Sequence, residues 1–314
     1  MFDVAIIGSG VGGMSTALYT ARAGLKTIVI ERGMYGGALN DTNEVENYIG
    51  TGKVKGHELA ENMYNQMINN ENVEYMYGNV QKIEKNDDFF TILTKKGSIL
   101  SKTVVISTGV KHKKLNIKGE EEYNGVGVSY CAVCDGNFFK GKRVTVIGGG
   151  DSAFEEGSYL AEIASHVTLV YRKGRGQIRA QKLLQDRFES KNNTSVETGL
   201  LTDEIVGKDG KVVGIVATDS FMYDQKFIET DGVFVYVGVE PTTSFLKDNN
   251  SEILNDEGYI VVNENKQTDI KGLFAVGDVT ANSMRQIATA VGDGAIASKG
   301  VLEHIATNFR MNYE

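Results

Sequence analysis

The sequence contains little proline and cysteine and no tryptophan. Proline occurs once and cysteine twice in 314 residues, whereas glycine occurs 37 times. Glycine is therefore about 12 % of the chain against a usual ~7 %, and proline lies far below its usual ~5 %. High glycine without proline excludes collagen-like and low-complexity chains. It indicates that the glycines form tight turns between regular elements.

The chain also lacks an excess of positive charge and any long hydrophobic run. With 33 basic and 41 acidic side chains the net charge is −8, which disfavours binding to nucleic acid or to an anionic membrane. No run reaches 18 apolar residues, and no targeting signal precedes the first apolar segment. These features predict a cytoplasmic protein whose partners are small molecules or other proteins.

The first informative motif is a glycine turn between a predicted strand (residues 4–7) and a predicted helix (residues 14–23). It reads Gly8-Ser9-Gly10-Val11-Gly12-Gly13, the G-x-G-x-x-G pattern that places a pyrophosphate at a helix N-terminus. A second strand, residues 26–30, ends at Glu31, 23 positions after the first glycine. An acid at about that distance binds ribose hydroxyls. The segment predicts a dinucleotide site, with an ordinary glycine-rich turn as the alternative.

The same arrangement recurs near the middle of the chain. A predicted strand at residues 143–147 precedes Gly148-Gly149-Gly150-Asp151-Ser152-Ala153 and a predicted helix at residues 154–163, which matches the G-x-G-x-x-A variant. The next strand, residues 167–170, leads into Tyr171-Arg172-Lys173 at the place where the first unit has its acid. Arginine there suits a 2′-phosphate. Two different dinucleotides are predicted, unless the basic turn is only a solvated surface.

The order of these segments predicts the domain organisation. A length of 314 residues suggests about two domains. β-rich stretches at residues 72–106 and 212–239 follow the two glycine units, and Pro241 follows the second stretch. We predict an α/β fold with two Rossmann-like three-layer dinucleotide-binding domains, the second inserted into the first. The expected bounds are 1–114 and 242–314 for the outer domain and 115–241 for the inserted one.

The two cysteines form the sharpest motif, Cys131-Ala132-Val133-Cys134, which Asp135 follows. In a reducing compartment such a pair predicts reversible disulfide exchange or a metal site. Zinc would need two further ligands, and the four histidines are far apart in the chain: His57, His112, His166 and His304. An inert buried pair is the other alternative. Asp135 is interpreted as an acid/base residue for thiol exchange, with a turn residue as the alternative.

Taken in order, these motifs resemble those of the low-molecular-weight thioredoxin reductases, flavoproteins of the pyridine-nucleotide disulfide oxidoreductase group. The resemblance spans essentially the whole chain. Besides the two glycine turns and the cysteine motif within residues 127–136, it is carried by Glu44-Val45-Glu46-Asn47, Ser107-Thr108-Gly109, Glu155-Glu156, Gly277-Asp278-Val279 and Arg285-Gln286-Ile287.

The resemblance implies an enzyme that passes electrons from NADPH through FAD to the cysteine pair and then to a thioredoxin-like protein. It further implies a homodimer, no metal, an outer FAD-binding domain, and an inserted NAD(P)H-binding domain that rotates against it. By position, Cys134 faces the flavin, Cys131 attacks the thioredoxin disulfide and Asp135 moves the proton. The implied FAD-binding residues are Gly8, Ser9, Gly10, Gly12, Gly13, Glu31, Arg32, Gly37, Ala38, Asn47, Val80, Thr108, Gly109, Gly277, Asp278, Arg285, Gln286 and Ile287. The implied NADPH-binding residues are Gly148, Gly150, Asp151, Ser152, Ala153, Arg172, Lys173 and Arg179.

The chain departs from the family pattern at several positions. Lys173 replaces an arginine and Tyr171 a histidine, and an apparent two-residue insertion around residues 174–176 displaces Arg179. Val11, Ala38 and Ile49 replace proline, glutamine and proline. Since some relatives take electrons from ferredoxin, that donor is the leading alternative. A non-catalytic flavin-binding scaffold is the alternative from another class. A peroxiredoxin reductase is disfavoured, because such relatives carry an additional N-terminal region and this sequence starts at the first predicted strand.

Overall fold

The computed structural model describes residues 1–42, 44–246, 248, 250–282 and 284–309. It divides into two compact units. Unit 1 comprises Met1–Lys111 and Glu240–Glu314, and unit 2 comprises His112–Val239. The second unit is therefore inserted into the first, in the architecture predicted from the two glycine motifs. The last five residues of the expected segment 242–314 lie outside the described residues.

The described residues of unit 1 form a seven-stranded sheet, a separate two-stranded sheet and three α-helices. Its elements are β1 (Phe2–Ile7), α1 (Val11–Arg22), β2 (Thr27–Glu31), β3 (Glu44–Val45), β4 (Val54–Lys55), α2 (Gly56–Ile68), β5 (Val73–Tyr77), β6 (Val80–Lys85), β7 (Phe90–Thr94), β8 (Gly97–Ile106), β19 (Leu273–Ala275) and α6 (Ile287–Asn308). The sheet order is β5-β2-β1-β8-β7-β6, and β19 also pairs with β8. Strands β5, β2, β1, β8 and β19 are parallel, whereas β7 and β6 are antiparallel.

Strand β1 separates two apolar layers, because successive side chains of a strand point to opposite faces. Val4 and Ile6 pack with residues of α1 and α6. Ala5 and Ile7 pack on the other face, in a cluster that includes β6, β7 and the segment before β19. Val4, Ala5 and Ile6 are fully buried, as expected for a central parallel strand covered on both faces. This three-layer packing fixes the carboxyl end of β1, where the first glycine turn begins.

Unit 2 contains a five-stranded parallel sheet and a three-stranded antiparallel sheet. Its elements are β10 (Val128–Ser129), α3 (Ala132–Asp135), β11 (Arg143–Gly148), α4 (Asp151–Leu160), β12 (His166–Tyr171), α5 (Lys182–Glu189), β13 (Thr194–Thr198), β14 (Leu200–Lys208), β15 (Lys211–Asp219), β16 (Gln225–Glu229) and β17 (Gly232–Tyr236). The sheet orders are β10-β17-β11-β12-β13 and β14-β15-β16. Two further short strands, β9 (Val110–His112) and β18 (Val239–Pro241), pair with each other.

Unit 2 is packed in three layers in the same way. Val144 and Val146 of β11 pack against Phe154 of α4 and Phe188 of α5, whereas Ile147 faces the cluster of the antiparallel sheet. Both helices after the glycine turns begin three residues earlier than predicted, at Val11 and Asp151. None of the helices in the described part of the chain is long and apolar enough to cross a membrane.

Candidate functional site

The first glycine turn has no room for side chains at two of its positions. Gly8 has a φ of +101°, and a Cβ atom on it would lie 2.3 Å from the carbonyl oxygen of Ser107. A Cβ on Gly13 would lie 2.1 Å from the carbonyl oxygen of Gly8. Gly10, in contrast, faces open space and is the N-cap of α1, without a side-chain cap. The free N–H groups at this helix start are suited to an anionic group.

Glu31 is fixed beside this turn at the end of β2. Its Oε2 accepts hydrogen bonds from Ser9 N at 2.7 Å and Ser9 Oγ at 3.0 Å, and its Oε1 accepts one from Gly33 N at 2.8 Å. The Tyr75 hydroxyl lies 3.1 Å from Ser9 Oγ, and burial raises the pKa of Tyr75 to about 12. The carboxylate is thus held by protein donors and retains lone pairs for further ones.

A second group of predicted FAD residues lies around the start of α6. Asn47 Nδ2 donates to Gln286 Oε1 at 2.9 Å, although the two residues are 239 positions apart. Gln286 caps α6 through a reciprocal capping box with Thr289. The guanidinium of Arg285 lies 4.5 Å from the centre of the Tyr259 ring, and its buried Nε has no acceptor among the described residues.

Asp278 is partly buried and lies at a turn that the buried Asp293 supports. Burial raises the pKa of Asp278 above its usual value. Gly277, with a φ of +72°, donates its N–H to Asp293 Oδ2 at 3.1 Å. Asp293 is itself buried and pairs with Lys266 at 2.6 Å. This ion pair, which sequence reasoning missed, fixes the turn that holds Asp278; its members are too far apart in the chain for a motif to link them.

The remaining predicted FAD residues have mixed environments. Gly37 and Ala38 are exposed in a 3₁₀ turn (Gly37–Asp41), Arg32 is exposed after β2, and Gly12 is buried in α1. Val80 starts β6 and is buried, and Ile287 starts α6. After β8, Thr108 Oγ1 donates to the Thr242 carbonyl at 2.8 Å, and Gly109 has a φ of +60°. Of the departing positions, Val11 starts α1 and Ile49 is 95 % exposed.

These observations fit FAD as the ligand of unit 1. The turn leaves open space at Gly10, the N-terminus of α1 has no side-chain cap, and a buried Arg285 donor lacks an acceptor among the described residues. A ligand with a pyrophosphate and several acceptor atoms satisfies all three conditions.

The second glycine turn has the same design with different packing. A Cβ on Gly148 would lie 2.4 Å from the Tyr236 carbonyl oxygen, whereas Gly150 faces open space and caps α4 without a side-chain bond. The Tyr171 ring covers Gly149, since a Cβ there would lie 2.3 Å from Tyr171 Cδ2. Of the next residues, Asp151 accepts from Gln181 N and Nε2 at 2.7 and 2.8 Å, Ser152 is exposed and Ala153 is buried.

The basic loop after β12 returns to this turn. Arg172 and Lys173 are exposed. The apparent insertion forms a 3₁₀ turn (Arg175–Gln177), to which Tyr171 Oη donates a hydrogen bond at the Gln177 carbonyl, 2.9 Å away. Arg179 N then donates to the Gly149 carbonyl at 2.9 Å. The backbone of Arg179, which follows this 3₁₀ turn, is therefore hydrogen-bonded to the glycine turn.

The cysteine pair lies between β10 and α4 of unit 2 and is closed as a disulfide, with the Cα atoms 5.4 Å apart. Cys134 is exposed and Cys131 is half-buried. Cys134 N donates to Cys131 Sγ at 3.1 Å. The short helix α3 thus presents both sulfurs from one turn of backbone, the arrangement that thiol–disulfide exchange requires.

Asp135 is positioned by a residue that sequence reasoning did not assign. Ser129 Oγ donates to Asp135 Oδ2 at 2.6 Å and accepts the Cys131 N–H at 3.1 Å. The Tyr236 hydroxyl accepts the Ala132 N–H at 2.9 Å. Ser129 lies within the quoted motif, so its proximity to the cysteines was visible. Tyr236 is 104 positions from Ala132, and only the parallel pairing of β17 with β10 and β11 brings it there.

Comparisons with known proteins agree with this geometry. The model of the family described as pyridine nucleotide-disulphide oxidoreductase matches residues 2–294. A thioredoxin reductase of Listeria monocytogenes is 43 % identical over 306 residues, which cover 97 % of this chain and 94 % of the relative. The crystal structure of Lactococcus lactis thioredoxin reductase has a TM-score of 0.94 at 40 % identity and covers 98 % of this chain and 100 % of that one.

A second solved structure, thioredoxin reductase from T. acidophilum, has a TM-score of 0.91 at 38 % identity, with coverage of 96 % and 98 % of the two chains. Family model, relatives and structures thus match nearly the full length, a span that includes the segments of both glycine turns and of the cysteine pair. The chain belongs to the pyridine nucleotide-disulphide oxidoreductase family and, within it, to the group of low-molecular-weight thioredoxin reductases that its motifs resemble.

Proposed function

We propose that this chain is an FAD-dependent thioredoxin-disulfide reductase with NADPH as its electron donor. In the overall reaction, NADPH, one proton and the disulfide of a thioredoxin-like protein give NADP⁺ and the dithiol form of that protein. One observation carries the proposal: a C-x-x-C disulfide with a hydrogen-bonded carboxylate beside it lies in the same unit as a nucleotide turn with exposed cations. Family membership and the named relatives support it.

In unit 1, the residues around the first turn would hold FAD. The N–H groups at the start of α1 would bind its pyrophosphate, Glu31 its ribose hydroxyls, and Arg285 Nε an acceptor atom of the ligand. When bound, FAD supplies two-electron transfer between a nicotinamide and a disulfide.

In unit 2, the second turn would hold the nicotinamide dinucleotide. The uncapped start of α4 is suited to its pyrophosphate, and Arg172, Lys173 and Arg179 supply positive charge for a 2′-phosphate. No ion pair among the described residues uses these three cations. A carboxylate in their place would repel the phosphate, so this loop favours NADPH over NADH.

The cysteine pair performs the exchange with the partner protein. In the reduced pair, the Cys134 N–H stabilises negative charge on Cys131 Sγ, which favours Cys131 as the attacking sulfur. Its thiolate attacks one sulfur of the partner disulfide, forms a mixed disulfide and releases the other partner sulfur as a thiolate. Cys134 then attacks Cys131, releases the second partner sulfur and restores the disulfide. Asp135, held by Ser129, carries the proton that these steps move.

Anaerobic reduction tests the donor and the cofactor together. The purified protein is expected to be yellow, and a small excess of NADPH should bleach its visible flavin absorbance, while NADH should require a much higher concentration. Colourless protein that takes up no added FAD would overturn the flavin assignment. Bleaching by reduced ferredoxin and not by NADPH would select the ferredoxin-dependent alternative.

Replacement of the cysteines tests the exchange step. Cys134→Ser should abolish NADPH-dependent reduction of thioredoxin and leave flavin bleaching by NADPH intact, because only the sulfur relay is removed. Val133→Ala, which keeps both sulfurs in the same short helix, is the matched control and should retain activity. Full thioredoxin reduction by Cys134→Ser would show that Cys134 has no role in the exchange, and a wild type that reduces no thioredoxin would support the non-catalytic scaffold.

A further inference from the structure

The hairpin between β15 and β16 exposes three consecutive large apolar side chains. Phe221, Met222 and Tyr223 are 71 %, 71 % and 81 % exposed. Large apolar groups clustered at one exposed tip indicate contact with a ligand or another surface. The position of this tip in unit 2 decides between these possibilities.

The hairpin tip has a defined conformation. Asp219 Oδ1 accepts the N–H groups of Phe221 and Met222 at 2.7 and 2.9 Å, and its carbonyl accepts the Tyr223 N–H at 2.9 Å. These backbone donors also hold the pKa of the Asp219 carboxyl below its usual value. A carboxylate that closes the turn in this way orders it before any ligand arrives, so the Phe221 ring is presented from a fixed backbone.

The tip is bound directly to the basic loop after β12. Ser220 N donates to the Gly199 carbonyl at 2.7 Å, and Ser220 Oγ donates to the Arg172 carbonyl at 3.2 Å. Gly199 N in turn donates to the Lys173 carbonyl at 2.9 Å. The residue before Phe221 therefore shares hydrogen bonds with the backbone that carries the two exposed cations.

The Phe221 ring lies across the glycines of this loop. A Cβ on Gly199 would lie 2.7 Å from Phe221 Cε2, and a Cβ on Gly174 would lie 3.7 Å from Phe221 Cζ. Gly199 follows β13 and has a φ of +77°. One edge of the ring thus contacts the carboxyl ends of β12 and β13, and most of the ring stays open to solvent.

A dinucleotide in a Rossmann domain runs along this edge of the sheet, with the adenosine ribose at the end of the second strand. In unit 2 that strand is β12, and the cations that follow it are suited to a 2′-phosphate. The adenine attached to that ribose is a flat aromatic group, and an exposed aromatic ring on a fixed backbone is a suitable surface for it to stack on.

We propose that Phe221 stacks on the adenine of the adenosine 2′-phosphate end of the donor nucleotide, so that the antiparallel sheet contributes a residue to the nucleotide site. This inference rests on the proposed NADPH-binding function of unit 2. Docking of a partner protein on the same tip is the competing explanation. Met222 and Tyr223 would serve such docking equally well, whereas of the three side chains it is Phe221 that lies over the glycines of the cationic loop.

Binding of 2′,5′-ADP, which lacks the nicotinamide half, tests the proposal in the flavin-loaded protein. Phe221→Ala should weaken 2′,5′-ADP binding and raise the KM for NADPH by about tenfold, a typical loss for one stacked base. The turnover number kcat and the KM for thioredoxin should stay within about twofold, because a contact to the non-reacting adenine end contributes to donor binding and not to the chemical steps. Phe221→Tyr, which keeps the ring, should restore binding, and Met222→Ala should match the wild type.

The other outcomes separate this inference from the proposed function. If the wild type binds 2′,5′-ADP and Phe221→Ala binds it equally well, the stacking role is wrong and the NADPH site stands. If Phe221→Ala and Met222→Ala both raise the KM for thioredoxin without affecting 2′,5′-ADP, the tip is a protein-docking surface and the proposal is overturned. If the wild type binds no 2′,5′-ADP, both the stacking role and the NADPH site are wrong.

Discussion

The two glycine turns differ in how closely helices approach them. A Cβ on Gly13 would collide with the Gly8 carbonyl at 2.1 Å, yet the equivalent residue of unit 2 is Ala153, which is accommodated. Helix α1 is confined on its other side as well, because a Cβ on Gly294 of α6 would lie 2.7 Å from the Gly12 carbonyl. The last position of the G-x-G-x-x-G or G-x-G-x-x-A motif therefore depends more on how tightly the helix packs against the turn than on which nucleotide is bound.

The two sites also differ in how their diagnostic charges are held. Glu31 is fixed by three protein donors, whereas Arg172 and Lys173 are exposed. A fixed acid suits a cofactor that stays bound, since little ordering remains to be done when it binds. Exposed cations suit a substrate that must arrive and leave, because long-range attraction speeds association. Under the proposed function, the same turn would hold a resident cofactor in unit 1 and an exchanging nucleotide in unit 2.

The largest expected difference between the units is in the free energy of unfolding when the last residue of each glycine motif is replaced by its counterpart. Gly13→Ala should lower the free energy of unfolding by about 3 kcal/mol and prevent flavin binding, because overpacking against backbone cannot relax easily. Ala153→Gly should cost only about 1 kcal/mol, through helix propensity. Denaturant unfolding and bound flavin absorbance measure both effects. Equal losses in the two variants would contradict the packing difference.

Substitution of the diagnostic charged residues should lower stability in unit 1 and weaken donor binding in unit 2. Glu31→Ala leaves the Ser9 and Gly33 donors without their acceptor and should cost about 2 kcal/mol of stability, with weaker flavin retention.

Arg172→Ala should leave the melting temperature unchanged and raise the KM for NADPH about tenfold, with little effect on the KM for NADH. Lys208→Ala, which removes an exposed cation at the end of β14 that forms no ion pair among the described residues, is the matched control. A similar KM increase in that variant would mean that net charge alone matters.

Salt should affect the two sites unequally. Raising ionic strength from about 20 to 300 mM should increase the KM for NADPH about threefold, because the Debye length that screens exposed charges shortens from about 20 Å to about 6 Å over this range. The amount of FAD bound should not change, since Glu31 is held by short hydrogen bonds. Steady-state kinetics and flavin absorbance after gel filtration measure the two quantities. An equal salt effect on both would remove the distinction between them.

The smallest expected effect is a change in melting temperature caused by the partly buried carboxyl group of Asp278. Burial raises its pKa in the folded protein above 3.8, so the folded state binds this proton more tightly than the unfolded state does. The associated stability is full at low pH and is lost as pH rises through the folded pKa. In flavin-free protein, Asp278→Asn should therefore raise the melting temperature at pH 7 by about 2 °C. The gain should shrink towards pH 4, and a gain independent of pH would point to another cause.

Local patterns in the sequence predict the elements that carry the site but misplace their ends. Poor helix formers stand at both helix starts, Gly12-Gly13 in the first and Asp151-Ser152 in the second, and the sequence predicts the helices only from residues 14 and 154. Each helix instead begins directly after its N-cap glycine, Gly10 or Gly150, since the open backbone there is part of the helix start. The strand, turn and helix order, the cysteine motif and the opposite charges at Glu31 and Arg172 were all readable from spacing alone.

Contacts between distant segments could not be predicted in this way. The Asn47–Gln286 hydrogen bond and the Lys266–Asp293 ion pair join segments that meet only after the sheet of unit 1 has formed. The hairpin tip at Phe221 is similar, since its position depends on the packing of the antiparallel sheet against β11, β12 and β17. Such pairs have no fixed spacing, and a single sequence contains no pattern that links them.

The insertion of unit 2 has a consequence for how the chain can be rearranged. At the ends of unit 2, Lys113 N donates to the Gly238 carbonyl at 2.9 Å, and at the interruption of unit 1, Thr242 N donates to the Gly109 carbonyl at 3.0 Å. Each unit therefore brings its own cut ends together, and joining them requires only a short loop with a small entropic cost. Unit 2 is therefore exchangeable as a whole: a foreign domain whose own termini are adjacent can replace it without changing the strand order of unit 1.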